Sequence, residues 1–150
     1  MTSLSLTLAV IANGLYAGFL LTFLIAVMPG LAQLPDDGFT AAMRRFNEKV
    51  PGPAFLVLFL GVIAFPAAVL ATGRGEAGWP AVTAALVCAV VSHLITIAGN
   101  IPLNKALAAS EGTEPDSAAR TAFEARWNLL HQVRTAFSLA AFALLVVAAR

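Results

Sequence analysis

The sequence predicts an all-α integral membrane protein: a four-helix bundle with amphipathic interfacial helical segments in its first and third loops. Three observations carry this expectation. The chain is 59% hydrophobic and 11% charged, whereas a soluble domain carries about 25% charged residues. Four apolar stretches approach or exceed the about 20 residues that a helix needs to cross a bilayer. Between them, two long loops place apolar residues at helical spacing. At 150 residues a single domain, 1–150, is expected. The formal net charge of +1 gives no reason to expect a nucleic acid. The expected partners are the lipid bilayer and a lipophilic small molecule.

The first span is expected over Leu4–Met28. It lacks a basic leading segment, and its apolar run exceeds the about 7–15 residues of a signal-peptide core, so it reads as a retained membrane helix. Gly14 and Gly18, with Ala17 beside them, are small residues one turn apart. They suit close helix packing within the bundle or between subunits of a homo-oligomer.

The loop over about residues 29–53 contains a second pattern. Asp36 and Asp37 precede Phe39, Ala42, Met43 and Phe46 at helical spacing, with Arg44, Arg45 and Lys49 following. Acids at the start and bases at the end suit the helix dipole, and Pro51-Gly52-Pro53 stops the segment. Such a helix is expected to rest on the headgroups. The second span, about Phe55–Ala71, is the shortest and carries Pro66, which predicts a kink. A Gly-rich turn over 72–78 with Arg74 leads to the third span, Trp79–Ala98. Cys88 lies within it and reads as a small packing residue; a lone cysteine makes no intrachain disulfide.

The third loop, about 100–132, holds Lys105, Arg120 and Arg126. Ser110–Asp116 reads as a polar turn, and Ser117 as the cap of a helix running through Ala118–Leu130 into the fourth span, Val133–Ala149. The first and third loops share most of the Lys and Arg residues. The positive-inside rule therefore predicts a multi-pass protein of the cytoplasmic (inner) membrane with both termini outside. Each half consists of an apolar helix, a proline at its exit (Pro29, Pro102), an amphipathic segment and a return helix; such a pairing suits a four-helix bundle.

The polar chemistry concentrates in residues 100–134. Glu124, Trp127, His131 and Arg134 step by three, four and three, so they share one helix face in a column about 15 Å long. One reading is an interfacial belt, with Trp127 anchored at the headgroups and arginine snorkelling toward phosphate. The other is a site, because an ionisable residue within a span usually faces the bundle interior. Asn100 and Asn104 lie one turn apart around Pro102, where the helix is expected to end or bend. His93 lies on the same face as Asn100. It reads either as an interhelical hydrogen-bond partner or as one of a metal-binding pair with His131, a weak signature without Cys or carboxylate. The chain contains no Gly-rich nucleotide loop, nucleophile elbow or zinc-protease helix.

Several of these segments carry a resemblance. Asn13-Gly14-Leu15-Tyr16-Ala17-Gly18, Val27-Met28-Pro29-Gly30-Leu31, Ala42-Met43, Asn47, Pro53-x-Phe55, Asn100-x-Pro102-Leu103-Asn104 and Trp127-x-x-x-His131-x-x-Arg134-Thr135 run nearly end to end. Together they resemble a family of small four-helix membrane proteins, named for a domain of unknown function, that includes the fungal anthrone oxygenases. The last segment is the most specific. Members commonly carry Gln where this chain has Arg44, and the Ala-rich sequence looks bacterial.

The resemblance implies oxygenation of a phenolic, anthrone-like substrate to a quinone with no cofactor. The expected catalytic residues are His131, Arg134, Trp127, Asn100 and Asn104. His131 is the natural base, since imidazole titrates near neutrality. Arg134, Asn100 and Asn104 would supply donors for an enolate, and Trp127 a surface for a flat ring to stack on. Asn47, Glu124 and His93 are the candidate substrate-binding residues. Two alternatives stand beside this reading: a non-catalytic membrane binding or interaction subunit, and a His-ligated metal or haem redox protein.

Overall fold

The computed structural model describes residues 4–73 and 78–150. Arg74 and most of the Gly-rich turn expected over 72–78 lie outside the described residues. The described chain folds into five helices: α1 (Leu4–Leu31), α2 (Asp36–Lys49), α3 (Pro53–Thr72), α4 (Trp79–Ala109) and α5 (Asp116–Ala148). All except α2 are long and apolar enough to cross a membrane. Spatially, α1 packs on α3 and α5, and α4 packs on α3 and α5. The four long helices thus form a ring in chain order, the up-down arrangement that short connections favour.

The spans are longer than hydropathy alone predicts. Helix α5 has 33 residues and is about 50 Å long at about 1.5 Å per residue, against an apolar bilayer core of about 30 Å. Its first half and the end of α4 project together, joined by a short turn over 110–115. The third loop is therefore mostly continuous helix, and Ser117 does not cap it: the helix starts at Asp116 after Pro115, with no side-chain cap.

Helix α2 is amphipathic as expected, but its apolar face is occupied by protein. Phe39 and Met43 are fully buried and pack with Leu107, Ala119 and Phe123. Arg44, expected at a headgroup surface, is buried as well. Its Nε donates to Leu107 O at 3.1 Å, and its terminal nitrogens reach Ser110 Oγ at 3.0 Å and Asp116 Oδ1 at 3.1 Å. Thr40 donates to the same carboxylate oxygen at 2.7 Å. These contacts clamp α2 across the α4–α5 turn.

Buried apolar side chains fall into two groups. One joins the four spans through Leu6, Ala9, Tyr16, Leu20, Val62, Val82, Ala85, Ala141 and Leu145. The other joins α2 to the projecting ends through Phe23, Met28, Phe39, Met43, Leu107, Phe123 and Trp127. Gly14 allows α5 to approach: a Cβ there would lie 2.9 Å from the Phe142 ring, whereas Gly18 faces open space.

The prolines are accommodated rather than helix-ending. Pro66 has no N–H for the Val62 carbonyl, and Asn13 Nδ2 of α1 donates to that oxygen at 3.3 Å. Before Pro29 and Pro102, each helix makes a π turn, Phe23–Val27 in α1 and Thr96–Asn100 in α4. The helix therefore continues through Pro102. The likeness of the two halves extends to this detail: each proline is the second residue after its π turn. Such turns often mark functional sites, and these two lie where the two apolar groups meet.

Candidate functional site

Between the two apolar groups lies a cavity of about 150 Å³. Phe19 and Phe23 of α1 and Phe55 and Phe59 of α3 line it, each pair one helical turn apart. Phe46, Asn47, Val50 and Pro51 line one end. Thr96, Ile101 and Asn104 of α4 and Trp127, His131 and Arg134 of α5 complete the wall. The rings touch one another: Phe19 lies 5.2 Å from Phe23 and 5.5 Å from Phe55, and Phe23 lies 5.5 Å from Phe46.

Helical spacing puts Trp127, His131 and Arg134 on one face, and the bundle turns that face inward, where all three are buried. The Trp127 ring stacks on His131 with centroids 4.8 Å apart. Trp127 is held at both ends: its Nε1 donates to Asn104 Oδ1 at 2.8 Å, and its carbonyl accepts from Asn100 Nδ2 at 3.2 Å. His131 Nε2 lies 3.0 Å from Leu20 O. A carbonyl can only accept, so Nε2 carries the proton. Nδ1 is left as the acceptor, and Arg134 donates to it from Nε at 3.1 Å and from NH2 at 3.0 Å. Arg134 NH1 donates to Thr96 Oγ1 at 3.1 Å, and Thr96 donates to Ser92 O at 2.9 Å.

The setting of Arg134 is unusual for a buried cation. Among the described ion pairs none includes it. The flat edge of its guanidinium, which elsewhere grips both oxygens of a carboxylate, converges here on one imidazole lone pair. Of five N–H donors, three have protein acceptors. Taking such a charge out of water costs several kcal/mol, so an anion arriving at this edge recovers a favourable interaction that the resting protein lacks.

Among the described residues three buried polar atoms also lack a protein partner: Tyr16 Oη, Asn47 Nδ2 and Asn100 Oδ1. The Tyr16 hydroxyl lies beside Thr96 and Ser92 without a well-formed hydrogen bond to either.

The expected residues divide accordingly. His131, Arg134, Trp127, Asn104 and Asn47 line the cavity, and Asn100 lies behind its wall, bonded to Trp127. Glu124 does not reach it, because Arg120 takes its carboxylate at 2.7 Å and ties it toward Asp36 and the Leu34 carbonyl on the outer surface. His93 also stands outside the lining. Its ring stacks on Phe59 at 3.8 Å, and its nitrogens lie 3.0 and 2.8 Å from the Ala89 and Phe59 carbonyls. The nitrogens of His93 and His131 are thus all engaged separately, and among the described residues no three His, Cys, Asp or Glu side chains converge on a point.

Sequence reasoning did not find the phenylalanine wall, although its signal was present in the spacing of Phe19 with Phe23 and Phe55 with Phe59. Nor did it find the Leu20 carbonyl that sets the imidazole tautomer, for which no residue type gives a cue.

The model of the family described as anthrone oxygenase matches residues 39–144. That stretch runs from within α2 to within α5 and contains every cavity residue except those of α1. No curated protein and no solved structure matches the chain.

Proposed function

The chain belongs to the anthrone oxygenase family, and from that premise we propose that it binds a flat, lipid-soluble phenolic ketone in this cavity and oxidises its activated methylene with dioxygen. The observation that carries the reading is Arg134: a buried guanidinium without a carboxylate, set against aromatic rings, is suited to an oxygen anion that forms only during reaction.

The chain's own groups divide the work. Proton loss from a methylene beside an aryl ketone leaves an enolate, whose oxygen Arg134 would hold. The proton would go to His131 Nδ1, since Nε2 is already protonated. An imidazolium beside a guanidinium is unfavourable on its own. The enolate formed in the same step offsets it, so proton removal and anion binding reinforce one another. The enolate then passes one electron to dioxygen. The resulting radical and superoxide join through a C–O bond, and the peroxide takes up a proton. Loss of the second methylene proton together with hydroxide leaves a carbonyl and water. One oxygen atom enters the product, and the other leaves as water. Trp127 and the phenylalanines would orient the ring and keep water out.

Oxygen uptake with anthrone, measured on protein in lipid nanodiscs, tests this. Wild type should consume oxygen, His131→Ala should not, and Arg134→Lys should lose most of the rate, because a point charge replaces a planar fork. Thermal stability recorded in parallel separates loss of chemistry from loss of fold. Uptake by His131→Ala equal to wild type would remove the base.

One observation favours a second reading, a binding subunit without turnover. Both His131 nitrogens already have partners, so Arg134 must release Nδ1 before a proton can reach it. Tight binding of anthraquinone with no oxygen uptake from anthrone would select that reading. The Lys and Arg bias of the first and third loops supports the accompanying orientation, with both termini outside the cytoplasmic membrane.

A further inference from the structure

The cavity is not closed, and the residues at its edge are of one kind. Among its lining side chains Phe46 is 37% exposed, Leu56 49% and Ile101 37%, and Pro51 is exposed as well. All four are apolar. They bring together the end of α2, the beginning of α3 and the residue that follows the π turn of α4. Beyond the edge the apolar character continues without a break. Val57 and Leu60 on α3 are 73% and 66% exposed, and Ile97 on α4 is 53% exposed. These faces belong to helices able to cross a membrane, so the opening adjoins acyl chains on its α3 and α4 sides. Toward the loops, exposed Lys49 lies two residues before Pro51, and exposed Lys105 lies one turn after Ile101. Lysines here suit the headgroup level. An opening made for a water-borne ligand would carry a polar rim; this rim is polar only on its loop side.

We propose that the ligand reaches the cavity sideways from the bilayer, through this portal between α3 and α4, and that Leu56 and Ile101 set how fast it passes. The inference rests on the cavity being the binding site, as in the function proposed above. It adds the phase from which the ligand comes and the side chains that admit it. The ligand class that fits is an amphiphile whose ring dissolves in acyl chains while a polar or anionic group stays near Lys49 and Lys105. A cavity of about 150 Å³ has room to enclose about one benzene-sized ring. A larger fused-ring ligand would therefore leave part of itself in the portal, against Leu56 and Ile101.

The experiment uses the full chain carrying Trp79→Phe, so that Trp127 in the cavity wall is the sole indole, reconstituted in nanodiscs. Anthraquinone is the probe, read by stopped-flow quenching of Trp127, in nanodiscs of several lipid compositions chosen to change its partition coefficient, with aqueous probe held constant. The association rate should follow the mole fraction of probe in the lipid, not its aqueous concentration. Leu56→Phe and Ile101→Phe, which add bulk without a second indole, should slow association and dissociation together, each by about tenfold, and change the equilibrium constant far less than either rate, because a rim residue acts chiefly on the barrier. Leu56→Ala should speed both. These rim positions are exposed, so the substitutions leave the core untouched.

An association rate that tracks aqueous probe overturns the portal. So does a pair of rim substitutions that leave the association rate unchanged. Probe that exchanges from lipid as expected, with no oxygen uptake from anthrone, removes the oxygenase reading and leaves the portal standing. Oxygen uptake with rates tied to the aqueous phase does the reverse. Absence of any quenching in wild type removes both.

Discussion

Arg44 offers the sharpest test of how the cavity is held together, because it ties α2 to the α4–α5 turn from a buried position. The Arg44 side chain is 6% exposed and has two buried neutral acceptors, Leu107 O and Ser110 Oγ. A hydrogen bond from a charged donor contributes about 1.5–3 kcal/mol, so the pair bounds the loss at about 3–6 kcal/mol. Two corrections lower it. Ser110 Oγ also donates to Leu107 O at 2.8 Å, so neither acceptor is orphaned when the guanidinium goes. Glutamine can also still reach one of them. The contact with Asp116, whose side chain is 37% exposed, adds little in water. A loss of about 2 kcal/mol for Arg44→Gln is the resulting expectation, and it falls on α2 and the α4–α5 turn, not on the spans. Local opening of α2 should become about 30-fold more frequent, at a factor of ten per about 1.4 kcal/mol. Amide hydrogen exchange followed by mass spectrometry reads this directly: α2 amides should exchange faster, while those of α3 and the buried part of α1 keep their protection. Phe46 and Asn47 line the cavity from α2, so anthraquinone affinity should fall in parallel. Unchanged exchange in α2, or equal acceleration in α3, would refute the idea that Arg44 clamps this helix locally.

Three further outcomes are expected. Asn104→Leu leaves the buried Trp127 N–H without its acceptor and should cost about 1–3 kcal/mol, seen as a lower thermal midpoint in detergent; an unchanged midpoint would mean that the N–H finds another partner. Gly14→Ala places a Cβ 2.9 Å from Phe142 and should destabilise by about 1–3 kcal/mol, whereas Gly18→Ala, with no atom within 4 Å, should be nearly neutral; equal effects would contradict the packing of α1 on α5. In a Cys88→Ala background, membrane-impermeant thiol labelling should reach Glu114→Cys only from the cytoplasmic side and Thr72→Cys only from outside, and the reverse result would invert the orientation.

How much of this was legible in advance differs from residue to residue. The four spans were, because continuous apolar stretches need no tertiary context to be read. So was the shared face of Trp127, His131 and Arg134, because spacings of three and four set a helix face whatever surrounds it, though not the direction in which that face turns. Glu124 shares that spacing and still leaves the column. What decides its place is Arg120, one turn earlier on its own helix, together with Asp36 and the Leu34 carbonyl from a distant part of the chain. The Pro102 expectation failed for a related reason. Proline removes a donor, and a helix ends there only if the freed carbonyls and the bend find no accommodation; the π turn supplies it, and a π turn has no residue signature of its own. In sequence Arg44 is one of the bases that suit the end of a headgroup-resting helix, while its neighbours in space are Leu107 and Ser110, more than sixty positions away.

The π turn of α1 has a consequence for how the chain tolerates change in length. Along that helix the buried positions advance by four and three, from Tyr16 to Leu20 to Phe23, and then jump by five to Met28. In a regular helix five residues would turn Met28 about 140° away from the face that carries Phe23. The wider π turn takes up the extra residue, so Phe23 and Met28 are both buried. Removing a single residue within Phe23–Val27 would leave the ordinary spacing of four, which also keeps Met28 on the inner face, and would shorten the span by no more than about 1.5 Å. One added residue normally turns the rest of a helix to a new side; here the π turn absorbs it, so a single rod keeps the same side toward both apolar groups at the level of the cavity.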